Sequence, residues 1–204
     1  MLQTQTVEPF TLELLKELMT KSYLDAFVLV GGTALALQMG HRQSIDLDLF
    51  TIQDFVAEEL VHSFKSDYEN VSVTFQQKQT LLCKINDVKV DCIRFKYPFI
   101  RPVLEVEGVR MLSFEDIAPM KLDAIAGRGS KKDFFDLYFL LQKYDLETMM
   151  GFYQEKYPHQ NLFHIVRSLA YFADADVQPD PFVFDKKITW TKVKKAISKE
   201  VQKI

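Results

Sequence analysis

Between residues 27 and 50 the chain reads FVLVGGTALALQMGHRQSIDLDLF, and this stretch limits the fold more than any other. Phe27, Val28, Leu29 and Val30 form an unbroken apolar run of the kind a fully buried strand shows. Gly31 and Gly32 interrupt it, and the good helix formers from Thr33 onward predict a strand-to-helix turn. Such a turn leaves backbone N–H groups at a helix N-terminus with no Cβ in front of them, where a phosphate can approach. The segment SIDLDLF then alternates acid with aliphatic. As a strand it puts Asp46 and Asp48 on one face, about 7 Å apart, with Ile45, Leu47 and Leu49 packed on the other.

That pair of acids is costly. At about 4 Å and an effective dielectric near 20, two carboxylates repel by about 4 kcal/mol. Folding does not require the arrangement, so a cation is expected beside it. A hard divalent ion with oxygen ligands suits the site, with a polyphosphate reaching across to the glycine turn. Two solvated acids on an edge strand are the competing explanation, and the spacing from the diglycine counts against it.

The rest of the chain supplies further candidates. Residues 10–22, 52–66, 146–156, 161–173 and 191–204 carry apolar residues at helical spacing. Val56, Leu60 and Phe64 are the expected core of the second of these. Residues 71–75 alternate as a strand with Val71, Val73 and Phe75 on its apolar face. Residues 81–95 read as a hairpin turning at Asn86-Asp87, which pairs Ile85 with Val88, Cys83 with Val90 and Leu81 with Cys92. Asp91 falls on the opposite face. By itself it is an exposed acid paired with Lys84 or Lys89; beside the two earlier aspartates it is the third acid of a metal site. A second hairpin turns at Glu107-Gly108, and Ser113 opens a helix that Pro119 is expected to kink or restart and that ends at Gly127-Arg128-Gly129. In the next helix Asp133 is explained by capping and the helix dipole. Asp136, flanked by Phe134, Phe135 and Leu137, has no such explanation and is expected to be buried against Lys121 or Arg128. Arg42 is either a phosphate contact or a solvated loop residue.

Several function classes drop out. No apolar run is long enough to cross a bilayer, and the N-terminus lacks the pattern of a signal peptide, so a cytoplasmic protein is expected. Two cysteines, Cys83 and Cys92, support neither a disulfide framework nor a zinc site. There is no Walker-type phosphate loop. The net charge of -3 argues against indiscriminate nucleic-acid binding, although residues 186–204 hold seven lysines against Glu200. That run fits either an RNA backbone or the wet face of a terminal helix.

Taken together, GGTALAL with SIDLDLF, VKVDCIRF and PMKLDAIAGRGSKKDFFDLYFLL resemble the AbiEii/AbiGii family of abortive-infection toxins. These are the nucleotidyltransferases of type IV toxin–antitoxin systems, within the polymerase-beta-like superfamily. The resemblance spans residues 27–141 and implies an α+β fold: a mixed, twisted sheet flanked by helices, with a helical C-terminal part. It implies a nucleotidyltransferase core over 1–112 and a helical part over 113–204 that completes the active-site cleft. It also implies transfer of NMP from an NTP to an acceptor hydroxyl, with RNA such as tRNA as acceptor. A small molecule or protein as acceptor, and a non-catalytic nucleotide-binding module, are the competing readings. Carried onto this sequence, the resemblance assigns two Mg2+ ions (or Mn2+) to Asp46, Asp48 and Asp91. The nucleotide falls to Gly31, Gly32, Thr33, Ser44, Arg42, Lys121 and Arg128, and an essential acid role to Asp136. A winged-helix antitoxin is the implied functional partner, with no membrane involvement.

Overall fold

All residues from 1 to 204 are described in the computed structural model, and they divide into two units, Met1–Gly40 with Ser44–Leu112 and His41–Gln43 with Ser113–Ile204. In the first, Pro9 sits in the opening turn of α1 (Pro9–Leu18), which stops short of the expected residue 22; Ser22–Leu24 form a separate 3-10 turn. The apolar run gives β1 (Val28–Leu29), and α2 (Gly31–Met39) begins at the diglycine. There follow β2 (Leu47–Thr51), α3 (Ala57–Asp67), β3 (Val71–Gln77), β4 (Thr80–Ile85), β5 (Val88–Arg94), β6 (Leu104–Val106) and β7 (Val109–Met111).

The seven strands form one mixed sheet in the order β3-β4-β5-β2-β1-β7-β6. β2 runs parallel to β5 and β1 parallel to β7, while the remaining neighbours are antiparallel. The β4–β5 hairpin has the expected register, with Ile85 opposite Val88, Cys83 opposite Val90 and Leu81 opposite Cys92. Asn86 and Asp87 both take positive φ, 49° and 68°, as a two-residue turn matched to strand twist requires. All six apolar partners are buried.

Three expectations in this unit are corrected. Ile45 is 59% exposed, because the β2 ladder begins at Leu47; only Leu47 and Leu49 of that trio reach the core. Val56 precedes α3 as its cap and is exposed, leaving Leu60 and Phe64 to pack inward. β3 is an edge strand whose alternation faces solvent: Val73 and Phe75 are exposed, and the register shifts between them.

The second unit is helical: α4 (Phe114–Arg128), α5 (Lys131–Leu140), α6 (Leu146–Lys156), α7 (Leu162–Leu169), α8 (Ala173–Asp176) and α9 (Trp190–Val201). The Ser113 hydroxyl accepts from the Asp116 N–H, which starts α4 as the sequence suggests. Pro119 does not break that helix. A proline in the second turn removes one backbone hydrogen bond, and packing of α4 on α5, α6 and α7 carries the helix through to Arg128. Gly129 then ends it with φ at 55°. The Trp190 ring lies among Phe134, Phe135 and Phe172, and its Nε1 donates to Asp176 at 2.6 Å, anchoring α9. Between α4 and α6, Lys156 Nζ meets Asp116 Oδ1 at 2.6 Å, with both side chains fully buried. No helix is long and apolar enough to cross a membrane.

Candidate active site

Parallel pairing of β2 with β5 sets Asp48 directly opposite Asp91. Asp46 lies just before the β2 ladder, close enough that its charge, with those of Asp48 and Asp91, acts on Lys89. The turn into α2 meets the same place. Gly31 has φ at 68°, and a Cβ on it would stand 2.7 Å from Asp48 Oδ2, so only glycine fits between the carboxylate and the helix start. The Val30 N–H donates to the Asp48 carbonyl at 2.9 Å, tying the turn to β2. No side chain caps α2, so its first-turn N–H groups and the positive end of its dipole are left beside the acids. Thr33 and Ser44 are buried, and their hydroxyls bond to each other at 2.9 Å. Thr33 Oγ1 also donates to the Asp46 carbonyl. These two hydroxyls hold the approach to β2 rather than standing open.

Asp91 is buried. Its Oδ2 accepts from Lys89 Nζ at 2.7 Å, while its Oδ1 is buried without a hydrogen-bond partner. Burial lowers the Lys89 pKa, but the hydrogen bond to Asp91 and the charges of Asp91, Asp46 and Asp48 outweigh it and raise it overall. One ammonium therefore feels all three acids. No three His, Cys, Asp or Glu side chains form a ready-made metal cage. The donor set nevertheless suits Mg2+ or Mn2+, which are commonly held by one or two carboxylates plus phosphate oxygens and water. The orphaned Asp91 Oδ1 is an oxygen such an ion would satisfy. Cys83 and Cys92 are buried free thiols; burial pushes Cys83 up to about 12 and Cys92 well above its usual value, which disfavours the thiolate at both.

The second unit gathers the other charged candidates into a buried network around Asp136, which is fully inaccessible. Its carboxylate receives Arg42 Nε at 2.6 Å and Nη2 at 2.9 Å, His41 Nε2 at 2.8 Å and Lys121 Nζ at 2.6 Å. Lys121 also meets Asp133 at 2.9 Å, and Arg128 meets Asp133 at 2.8 Å. Burial pushes the Asp136 carboxyl upward, but Arg42, Lys121 and the His41 hydrogen bond hold it well below the usual range. Burial favours neutral His41 and overrides its carboxylate partner.

Asp136 is thus buried and paired with Lys121, as expected, but Arg128 goes to Asp133 instead. Lys121, expected at the phosphates, has its ammonium enclosed between two carboxylates. Arg42 is neither solvated nor open to a ligand; it forms a fork on Asp136. Asp133, read as a capping acid, is fully buried in the same network. Sequence reasoning missed His41, whose partner lies 95 residues away. It also missed a cleft of about 700 Å3 in this unit, lined by Arg128, His164, Arg167 and the exposed rings of Phe163 and Tyr171. The available signal was Phe163, His164 and Arg167 together on a strongly amphipathic α7, with Tyr171 just beyond it.

A model of the family "nucleotidyl transferase AbiEii toxin, type IV TA system" matches residues 13–203. An uncharacterized protein, aq_aa25 of Aquifex aeolicus (strain VF5), is 35% identical over 178 residues, covering 82% of this chain and 86% of that one. Two solved structures share the fold. JHP933 from Helicobacter pylori aligns with a TM-score of 0.58 at 20% identity, over 96% of this chain and 92% of that chain. The antibiotic-resistance factor ANT(2'')-Ia aligns with a TM-score of 0.53 at 18% identity, over 72% of this chain and 91% of that chain. The α+β architecture is the polymerase-beta-like nucleotidyltransferase fold.

Proposed function

Because the chain belongs to the AbiEii nucleotidyltransferase toxin family and is a nucleotidyltransferase, we propose that Asp46, Asp48 and Asp91 form its catalytic centre. The observation that carries this reading is the register of Asp48 opposite Asp91, at an uncapped helix start where Gly31 leaves no room for a Cβ. Gly31, Gly32 and Thr33 present backbone N–H groups to the NTP phosphates. Thr33 and Ser44 fix the backbone that carries Asp46. Asp91, with one buried unsatisfied oxygen, takes the proton of the acceptor hydroxyl as it attacks the α-phosphate and pyrophosphate leaves. A divalent ion held by the three aspartates would supply charge neutralisation at the entering and leaving oxygens.

In this reading Lys121, Asp136, Arg42 and His41 are positioning residues that hold α4, α5 and residues 41–43 together. Arg128 differs: its side chain is 58% exposed and lines the α7 cleft, where it meets the acceptor. Cationic and aromatic groups in one groove suit an RNA strand, whose phosphates and bases those side chains bind. The C-terminal lysines, on and after α9, add positive charge, although Lys194 and Lys203 already have acidic partners. A winged-helix antitoxin remains the functional partner that the family suggests.

The test is incubation with each NTP, labelled at the α- or the γ-phosphate, together with Mg2+ or Mn2+ and total RNA. The expected result is α-label on RNA, no γ-label on it, and dependence on the metal. Label on protein or on a small molecule would overturn the RNA acceptor. γ-Label on any acceptor would overturn nucleotidyl transfer at this centre.

A further inference from the structure

Lys89 stands two residues before Asp91 on β5, hence on the same face of the sheet. Its Nζ donates to Asp91 Oδ2 at 2.7 Å. The Lys89 side chain is 47% exposed and that of Asp91 only 10%, so the ammonium approaches from the solvent side on a stem that packing does not lock. Across the ladder it faces Lys84, a like charge that favours its leaning toward the carboxylates. An ammonium and a hard divalent ion compete for the same carboxylate oxygens, and close approach of both is repulsive. A lysine freed from Asp91 is still acted on by the charges of Asp46 and Asp48, and Asp48 Oδ2 is the oxygen that lies against Gly31 at the start of α2.

We infer that Lys89 is an exchangeable counter-ion of the aspartate centre: it holds Asp91 while the site lacks nucleotide, and it passes to the substrate's polyphosphate when a metal–nucleotide enters. This rests on the metal role given above to Asp46, Asp48 and Asp91. It assigns Lys89 two opposite effects, hindering a bare metal ion and helping a metal–polyphosphate. A purely structural ion pair would produce no such opposition.

The experiment titrates the full chain with Mn2+ alone, reading free Mn2+ by electron paramagnetic resonance, and with Mn2+ plus radiolabelled inorganic pyrophosphate, reading protein-bound label by equilibrium dialysis. The proteins are wild type, Lys89→Met, Lys89→Arg and Asp48→Asn, each checked for folding by circular dichroism. Lys89→Met is expected to bind bare Mn2+ about tenfold more tightly and Mn2+–pyrophosphate about tenfold more weakly, whereas Lys89→Arg stays near wild type. Unchanged affinities in Lys89→Met, or shifts of the same sign, overturn the inference. If Asp48→Asn loses Mn2+ while Lys89→Met follows wild type, Lys89 alone has been misassigned. If Asp48→Asn binds Mn2+ like wild type, the ion lies elsewhere, and both the aspartate metal centre and the role of Lys89 fail.

Discussion

Gly31 meets two constraints, a φ of 68° and an oxygen of Asp48 at 2.7 Å from where a Cβ would sit. Gly31→Ala is expected to cost about 1–2 kcal/mol from the backbone conformation alone. It should also displace Asp48, so that turnover falls further than the stability loss measured by urea unfolding accounts for. His41 gives a pH signature. Burial sets its folded-state pKa below 6.5, so the unfolded chain binds the proton more readily. Its contribution is complete above 6.5 and is lost as pH falls from there through the folded pKa. Asp136 and Asp133 are lowered too, so their contribution is complete above 3.8 and is lost below it. Unfolding midpoints measured across pH should therefore fall in two steps, and His41→Asn should lack the upper one. At this scale the sequence was legible wherever chemistry is local. Asp46, Asp48 and the diglycine lie in one stretch, and Asp91 follows from a hairpin whose turn identifies itself. Arg42 and His41 were not legible, because the group that defines them lies on α5, more than 90 residues along.

Among the elements, the β4–β5 hairpin was readable because a two-residue turn fixes every pair behind it. β3 misled because alternation states that one face is apolar without saying that anything covers it. Pro119, expected to kink or restart the helix, does not restart it, since α4 runs unbroken from Phe114 to Arg128 and packs on α5, α6 and α7. The α4–α6 contact is governed by Asp116 and Lys156, an ion pair buried on both sides. Burial lowers the Lys156 pKa further than Asp116 restores it. Lys156→Met takes the ammonium away from the buried Asp116, and is expected to cost about 3–5 kcal/mol. The double variant Asp116→Leu with Lys156→Met should recover most of that loss, as chemical denaturation would show. If the single variant were as stable as wild type, the pair would not be holding these helices.

At the scale of the whole chain, the family match from 13 to 203 includes the C-terminal helices, where the sequence offered only a lysine-rich face and no motif. Their cleft was hidden because Arg128 comes from α4, whereas His164 and Arg167 come from α7. Arg167→Glu is expected to weaken RNA binding about tenfold in a filter assay while leaving NTP binding unchanged, since it reverses one phosphate-directed charge. Equal RNA affinity would remove the cleft from acceptor recognition. The central claim is that Asp48 and Asp91 on adjoining parallel strands, with Asp46 just before the first of them, perform the transfer. It is tested most directly by the rate of α-labelled nucleotide incorporation into RNA by Asp91→Asn beside wild type, with both shown to be folded. A loss of at least about 100-fold is predicted; incorporation at the wild-type rate would contradict it.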